Sequence, residues 1–357
     1  MKISGWAVTE PGRPLELRNW EAEPGRGEVL VQVAGCGICH TDLGFYYDRV
    51  PTRHPLPLVL GHEISGTVVS AGPGSEEWLH RDVVVPAVIP CGGCDACRAG
   101  QASICPDQVF PGNDVDGGFA THVVVPSRGL CPIPRGPHPA GGGADLQALC
   151  VIADAVTTPY QAILRSGLAE GDLAVFVGAG GVGGFGIQIA SSFGARVVAI
   201  DVDPRRLEKM RHHGAQVTID GSAGSFKSIR ETIRAFAGDH RIPTWRRKVF
   251  EASGTVAGQE TAFGLVEPGG WLGIIGYTDA KASVRISNLM ALDATARGNW
   301  GCPPEHYPAV LDLVLSRRVL VEPFIERRPI SGIAEAFADL HARRIAGRVV
   351  LVPESRP

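Results

Sequence analysis

Along the first 150 residues, short runs of alternating apolar and polar positions recur at 29–33, 64–70, 83–88 and 122–125. Gly/Pro clusters separate them, as expected of strands joined by tight turns. This pattern predicts a barrel or a folded sheet rather than β-α-β units. From about Asp172 the rhythm changes. Leu173–Val177 is a continuous apolar run, which predicts a buried strand. A glycine-rich turn follows, then a helical stretch with Val182, Phe185 and Ile189 on one face. Residues 196–200 predict the next buried strand. Asp203 predicts a helix cap, Pro204 a first helical residue and Gly214 a stop. Strands are predicted at 217–219, 248–251 and 271–276, with helices at 226–236 and 257–266 between them. Strands alternating with helices predict a parallel sheet with crossovers. After about Ala294 the alternation breaks. Helices are predicted at 307–316 and 333–342, and a last strand at Arg348–Val352.

Charge and composition narrow the class. Lys and Arg total 34 against 37 Asp and Glu, a net charge of −3, with 44% hydrophobic residues. Such a chain folds into a core and is not disordered. Its near-neutral balance argues against a nucleic-acid or membrane-surface partner held by charge. The N-terminus lacks the apolar core of a signal peptide. The longest charge-free run, 173–195, is too glycine-rich for a bilayer helix. A cytoplasmic location is therefore expected, where thiols stay reduced. Nine cysteines, an odd number, then need a role other than disulfides.

Four of them form Cys91-x2-Cys94-x2-Cys97-x7-Cys105. Four thiolates on a short, glycine-spaced loop suit a tetrahedral zinc with no position left for substrate, hence a structural ion. An iron–sulfur cluster is the alternative. The long last gap and the lack of a Pro-flanked partner run favour zinc. Cys39, His62 and Asp154 stand on three separate segments. A thiolate, an imidazole and a carboxylate can make a three-ligand zinc whose fourth position takes substrate. Gly178-Ala179-Gly180-Gly181-Val182-Gly183, between a buried strand and a helix, predicts a dinucleotide turn with pyrophosphate at the helix N-terminus. Asp201 ends the following strand. A carboxylate there pairs with ribose hydroxyls and repels a 2′-phosphate, favouring NAD over NADP. Arg205 and Arg206 read as a solvated helix face.

Cys39, the Gly61-His62-Glu63 triplet, the Cys91/Cys94/Cys97/Cys105 lobe and the glycine turn resemble the zinc-dependent medium-chain alcohol dehydrogenases. The resemblance covers essentially the whole chain. It implies an α/β plus β architecture. A GroES-like β-barrel catalytic domain would take residues 1–155 and 295–357, with the structural zinc lobe at 91–105. A Rossmann doubly wound NAD-binding domain would take 156–294, with catalysis between the two. It implies NAD, two zinc ions per chain and a homo-oligomer, dimer or tetramer. By that match Cys39, His62 and Asp154 are ligands of a catalytic zinc, with Cys150 the competing third donor. Asp42 is the carboxylate behind His62, and Glu63 sits behind the metal or reaches it. Thr41 bonds the substrate oxygen, His40 contacts coenzyme phosphate, Thr158 touches the nicotinamide and Arg348 reaches the pyrophosphate. Many members continue a proton relay to a His five residues after the ligand Cys; here that position is Gly44.

Longer stretches, among them CGICHTDLGFYYD, PGNDVDGGFATHVVVPSRGLCP and GNWGCPPEHYPAVLDLVL, resemble a branch of the family acting on an alicyclic acyl-CoA. That resemblance implies NAD-dependent oxidation of the ring hydroxyl of 6-hydroxycyclohex-1-ene-1-carbonyl-CoA to the 6-oxo compound, in anaerobic aromatic degradation. Tyr46, Tyr47, Phe119 and Trp300 are then candidate walls of a ring pocket, or plain core. Arg49, Arg53 and Arg128 are candidates for the CoA phosphates, or plain surface charges. The alternative substrate is a free secondary alcohol or polyol. A catalytically silent NAD-binding protein is the reading from another class, motivated by Asp154 and Gly44.

Overall fold

The computed structural model describes residues 1–136, 139 and 145–354. It divides into two compact units, Met1–Thr157 with Gly301–Pro357, and Thr158–Trp300. In the first unit a seven-stranded sheet runs Ile325–Pro329, Arg348–Val352, Glu28–Gly37, Glu63–Ala71, Asp82–Val85 and Cys131–Pro132, with His122–Pro126 also on Glu28–Gly37. Only Ile325–Pro329 and Arg348–Val352 pair in parallel; the other pairings are antiparallel. A second sheet orders Glu16–Glu21, Lys2–Val8 and Leu58–Val59. Val29, Leu30 and Val31 are all buried. The pairing with Glu63–Ala71 slips between Leu30 and Val31, and such a bulge bends a strand so that both faces can be covered. Ile3, Val31, Ile64, Val83, Phe119 and Phe337 share one core. Each such side chain contributes about 1.5–3 kcal/mol by leaving water. Phe119 and Tyr46 both stand edge-on to Phe337, at 5.7 and 5.4 Å. They belong to this core.

In the second unit six parallel strands run Val217–Asp220, Arg196–Asp201, Leu173–Val177, Arg247–Glu251, Trp271–Ile274 and Thr295–Gly298. Leu173–Val177 lies inside the sheet with all five residues buried, so its sequence has no polar alternation. Three of the crossover helices start on side-chain caps. Asp203 accepts the Arg205 N–H at 2.9 Å, Ser225 that of Ser228 at 3.2 Å and Thr255 that of Gly258 at 3.0 Å. The sheet corrects the boundary expected at 295. Thr295–Gly298 pairs with Trp271–Ile274, so the second unit runs on to Trp300. Among the described residues, no helix is long and apolar enough to cross a membrane.

Candidate functional site

Cys39, His62, Glu63 and Asp154 each offer a donor atom, and these atoms lie within 4.8 Å of one another in the first unit. Cys39 is the N-cap of helix His40–Tyr46, and its N–H donates to Asp42 Oδ2 at 2.8 Å. Its Sγ stands 3.5 Å from Asp154 Oδ2. His62 Nε2 stands 3.7 Å from the same oxygen. The other ring nitrogen, Nδ1, faces Asp42 Oδ1 at 3.4 Å. That oxygen also accepts the Gly61 N–H at 3.2 Å. Asp42 thus holds the segments that carry Cys39 and His62 and leaves Nε2 directed at the donor group. Phe110 packs edge-on against the His62 ring at 4.9 Å. No spacing rule pointed to that residue.

Asp154 follows the 3-10 turn Ala148–Ala153. It, and not Cys150, joins Cys39 and His62. Cys150 lies fully buried inside that turn, where burial holds its thiol well above its ordinary pKa and therefore neutral. Burial alone would lower the His62 imidazole, but the charge of Asp42 and the bonds to Asp154 and Asp42 raise it well above its usual value. Two carboxylates and a thiol around one buried imidazole are a surplus of negative donors. A divalent cation among them would satisfy that surplus, so the residues fit zinc.

Glu63 opens its strand, opposite Gly37. Arg348, on the strand that pairs with the other edge of Glu28–Gly37, is 4% exposed. Its Nε donates to Glu63 Oε2 at 2.9 Å, and its Nη2 donates to Glu63 Oε1. Nη2 also stands 3.5 Å from Asp154 Oδ2. Burial pushes the Glu63 carboxyl up, while the Arg348 guanidinium pulls it down. Burial is the larger effect, and the carboxyl is raised to about 7 despite the bidentate contact. Arg348, expected at the coenzyme pyrophosphate, has its guanidinium behind the donor group. Thr41 Oγ1 lies 3.7 Å from Cys39 Sγ. His40 is exposed at the first position of its helix and is not one of the four clustered donors. Gly44 is buried within that helix.

The four-thiol lobe forms a separate group. Cys91 and Cys97 Sγ lie 4.0 Å apart, and Cys94 and Cys105 Sγ 3.7 Å. Four sulfurs at about 2.3 Å from a tetrahedral zinc stand roughly 3.8 Å from one another, so the lobe fits that ion. The N–H groups of Gly93 and Cys94 point at Cys91 Sγ, at 3.4 and 3.3 Å, and lower its pKa to about 7. They favour the thiolate that a metal needs.

In the second unit Gly178 has φ +98°, and a Cβ there would stand 2.6 Å from Ser253 N. A Cβ on Gly183 would collide with the Gly178 carbonyl. Only glycine fits at these two positions of the turn. Gly180, Gly181 and Val182 complete the turn into helix Gly183–Ser192. Asp201 ends its strand. Its Oδ2 accepts the Ala179 N–H at 2.7 Å and its Oδ1 the Asp203 N–H at 2.9 Å. These bonds aim the carboxylate before any coenzyme binds. Arg205 pairs with Asp203 and faces solvent. Arg206 departs from the expected solvated face. Its Nη1 lies 3.8 Å from Asp201 Oδ2 and packs over Gly180. Thr158 is buried near the start of helix Thr157–Ser166, and its carbonyl accepts from Asn299 Nδ2 at 3.0 Å.

These two donor groups and the dinucleotide turn define a zinc-binding dehydrogenase. Comparison with known proteins agrees. Residues 25–135 match the alcohol dehydrogenase GroES-like domain, and residues 181–316 match the zinc-binding dehydrogenase domain. An alcohol dehydrogenase of Geobacillus stearothermophilus is 29% identical over 348 residues, 96% of this chain and 97% of that protein. Galactitol 1-phosphate 5-dehydrogenase of Escherichia coli K12 is 27% identical over 338 residues, 91% and 92% of the two chains. A crystal structure of a Thermotoga maritima alcohol dehydrogenase superposes with a TM-score of 0.87 at 23% identity, covering 99% of this chain and all of that one. The chain belongs to the zinc-dependent medium-chain alcohol dehydrogenases, with the GroES-like and Rossmann folds. It is a zinc- and NAD-dependent alcohol dehydrogenase.

Proposed function

We propose that the chain oxidises a free secondary alcohol or polyol, with Cys39, His62 and Asp154 holding the catalytic zinc and Cys91, Cys94, Cys97 and Cys105 the structural one. The convergence of those three donors, two of them braced by Asp42, is the observation that carries this reading. Zinc supplies Lewis acidity to the carbinol oxygen, and NAD accepts the hydride. Three protein donors would leave one position open to substrate. Thr41 Oγ1, beside Cys39, would accept a hydrogen bond from the substrate hydroxyl and release its own proton as it takes the substrate's. Residue 44 has no imidazole to take it further, so the proton leaves by another route. The Gly178–Gly183 turn holds the pyrophosphate and Asp201 the adenosine ribose. The named relatives, an alcohol dehydrogenase and a polyol-phosphate dehydrogenase, support a small, free, hydroxylated substrate. A homo-oligomeric state is the expectation carried over from the family.

A second reading rests on the long stretches quoted above: the ring hydroxyl of 6-hydroxycyclohex-1-ene-1-carbonyl-CoA. Two of its three candidate phosphate cations have internal partners, since Arg53 pairs with Asp114 and Arg128 donates to the Pro90 carbonyl. NADH absorbance during a screen of secondary alcohols, polyols, a cyclic hydroxyacyl-CoA and its free acid separates the readings. Turnover confined to the thioester would replace the first reading with the second. No NADH from any substrate would favour the silent NAD-binding protein. Metal analysis should find two zinc ions per wild-type chain and one in Asp154→Ala. Loss of the second ion from Cys150→Ala instead would overturn the ligand assignment.

A further inference from the structure

Asp154, the third proposed zinc ligand, stands on an irregular segment. Cys39 caps a helix in a reciprocal box with Asp42, and His62 is braced by Asp42 and Phe110. Asp154 instead follows a 3-10 turn, at φ −140°, ψ −59°. The peptide just before it, however, is held firmly. The Ala153 carbonyl accepts the Tyr307 hydroxyl, and it also accepts Thr157 Oγ1 at 3.2 Å. Tyr307 is fully buried at the start of helix Tyr307–Leu315, and its phenol oxygen accepts the Ala87 N–H at 3.2 Å. Ala87 lies on the approach to the four-thiol lobe. A buried phenol is retained where its hydroxyl has partners, and packing alone would be served by phenylalanine.

We propose that Tyr307 is a positioning residue for the metal group, fixing the Ala153–Asp154 peptide so that the Asp154 carboxylate meets Cys39 and His62. This rests on the ligand assignment proposed above. A carboxylate can turn about two side-chain bonds, so its backbone anchor decides whether it reaches the metal or swings toward Arg348, 3.5 Å away. Without the Tyr307 hydroxyl, the Ala153 carbonyl loses one of its two side-chain donors among the described residues and the peptide gains freedom. The second hydroxyl on the same carbonyl should therefore act in the same direction with a smaller effect.

The test loads Co²⁺ into wild type, Tyr307→Phe and Thr157→Val, and follows the visible absorption of the cobalt–thiolate centre and the rate of cobalt loss to a chelator. Tyr307→Phe should lose cobalt from one site roughly 10- to 100-fold faster, the range for residues supporting metal ligands, with an altered absorption band. The four-thiol site should stay loaded in the same sample. Thr157→Val should show a smaller acceleration, and it carries the test if Tyr307→Phe does not fold. Wild-type spectra and loss rates in a folded Tyr307→Phe, or in Thr157→Val where the first variant fails to fold, would overturn the proposal. A wild-type chain that binds cobalt only at the four-thiol lobe would instead overturn the ligand assignment itself.

Discussion

Replacing Arg348 by Met keeps much of the side-chain stem and removes the charge. Glu63, fully buried, then has no cation on either oxygen. Breaking a buried pair from one side costs about 3–5 kcal/mol, because the remaining charge is uncompensated. Short of moving onto the zinc, Glu63 can escape that cost only by taking a proton. Burial already pushes its carboxyl up and Arg348 pulls it down, so the variant's folded-state pKa rises further above that of the unfolded chain. A group so raised binds more protons folded than unfolded, and stability falls as pH increases. The loss should therefore be small near the ordinary carboxyl range, about pH 4–5, and approach its full size above neutrality. Urea unfolding of the zinc-loaded protein, followed by tryptophan fluorescence at acid and alkaline pH, reads this directly. Glu63→Gln added to Arg348→Met should recover much of the loss, since a neutral amide is cheaper to bury. A loss below about 1 kcal/mol at alkaline pH, the scale of an exposed pair, would refute the reasoning. So would a double variant no more stable than the single one.

Asp201→Gly should relax coenzyme choice. It removes the charge that repels a 2′-phosphate and leaves Arg206, 3.8 Å away, able to bind one. Each charged hydrogen bond is worth about 1.5–3 kcal/mol, so the NAD/NADP ratio of kcat/KM should fall roughly 10- to 150-fold; an unchanged ratio would remove Asp201 from that role. Gly178→Ala should weaken NADH binding, measured by fluorescence titration. The residue would occupy a left-handed backbone with its Cβ 2.6 Å from Ser253 N, a strain of about 1–3 kcal/mol. Wild-type affinity there would mean that the turn does not carry the coenzyme.

The strands that the sequence shows most clearly are those covered on both faces. Leu173–Val177 is an uninterrupted apolar run and Arg348–Val352 is one after its first residue, and the structure has both strands with the same ends. Glu16–Glu21 has no fully buried residue, so no periodicity announces it. Thr295–Gly298 is exposed at all four positions and is a strand only through its pairing with Trp271–Ile274. The four-thiol lobe is legible because its donors lie close in sequence. Asp154 is legible only through its spacing from Thr158. The Arg348–Glu63 pair joins residues 285 apart, and nothing local in either segment signals the partner. Arg206 reads in the sequence like its neighbour Arg205, a solvated helix residue, and only the structure brings it to Asp201.

Asp42 ties two backbone amides and an imidazole to a single side chain. The loops bearing the thiolate and the histidine therefore cannot drift independently, because whatever neutralises that one carboxylate loosens both. Metal would leave such a centre in one step rather than donor by donor. A half-loaded sample would then be a mixture of complete and empty molecules, and its residual activity would count intact centres instead of reporting weakened ones.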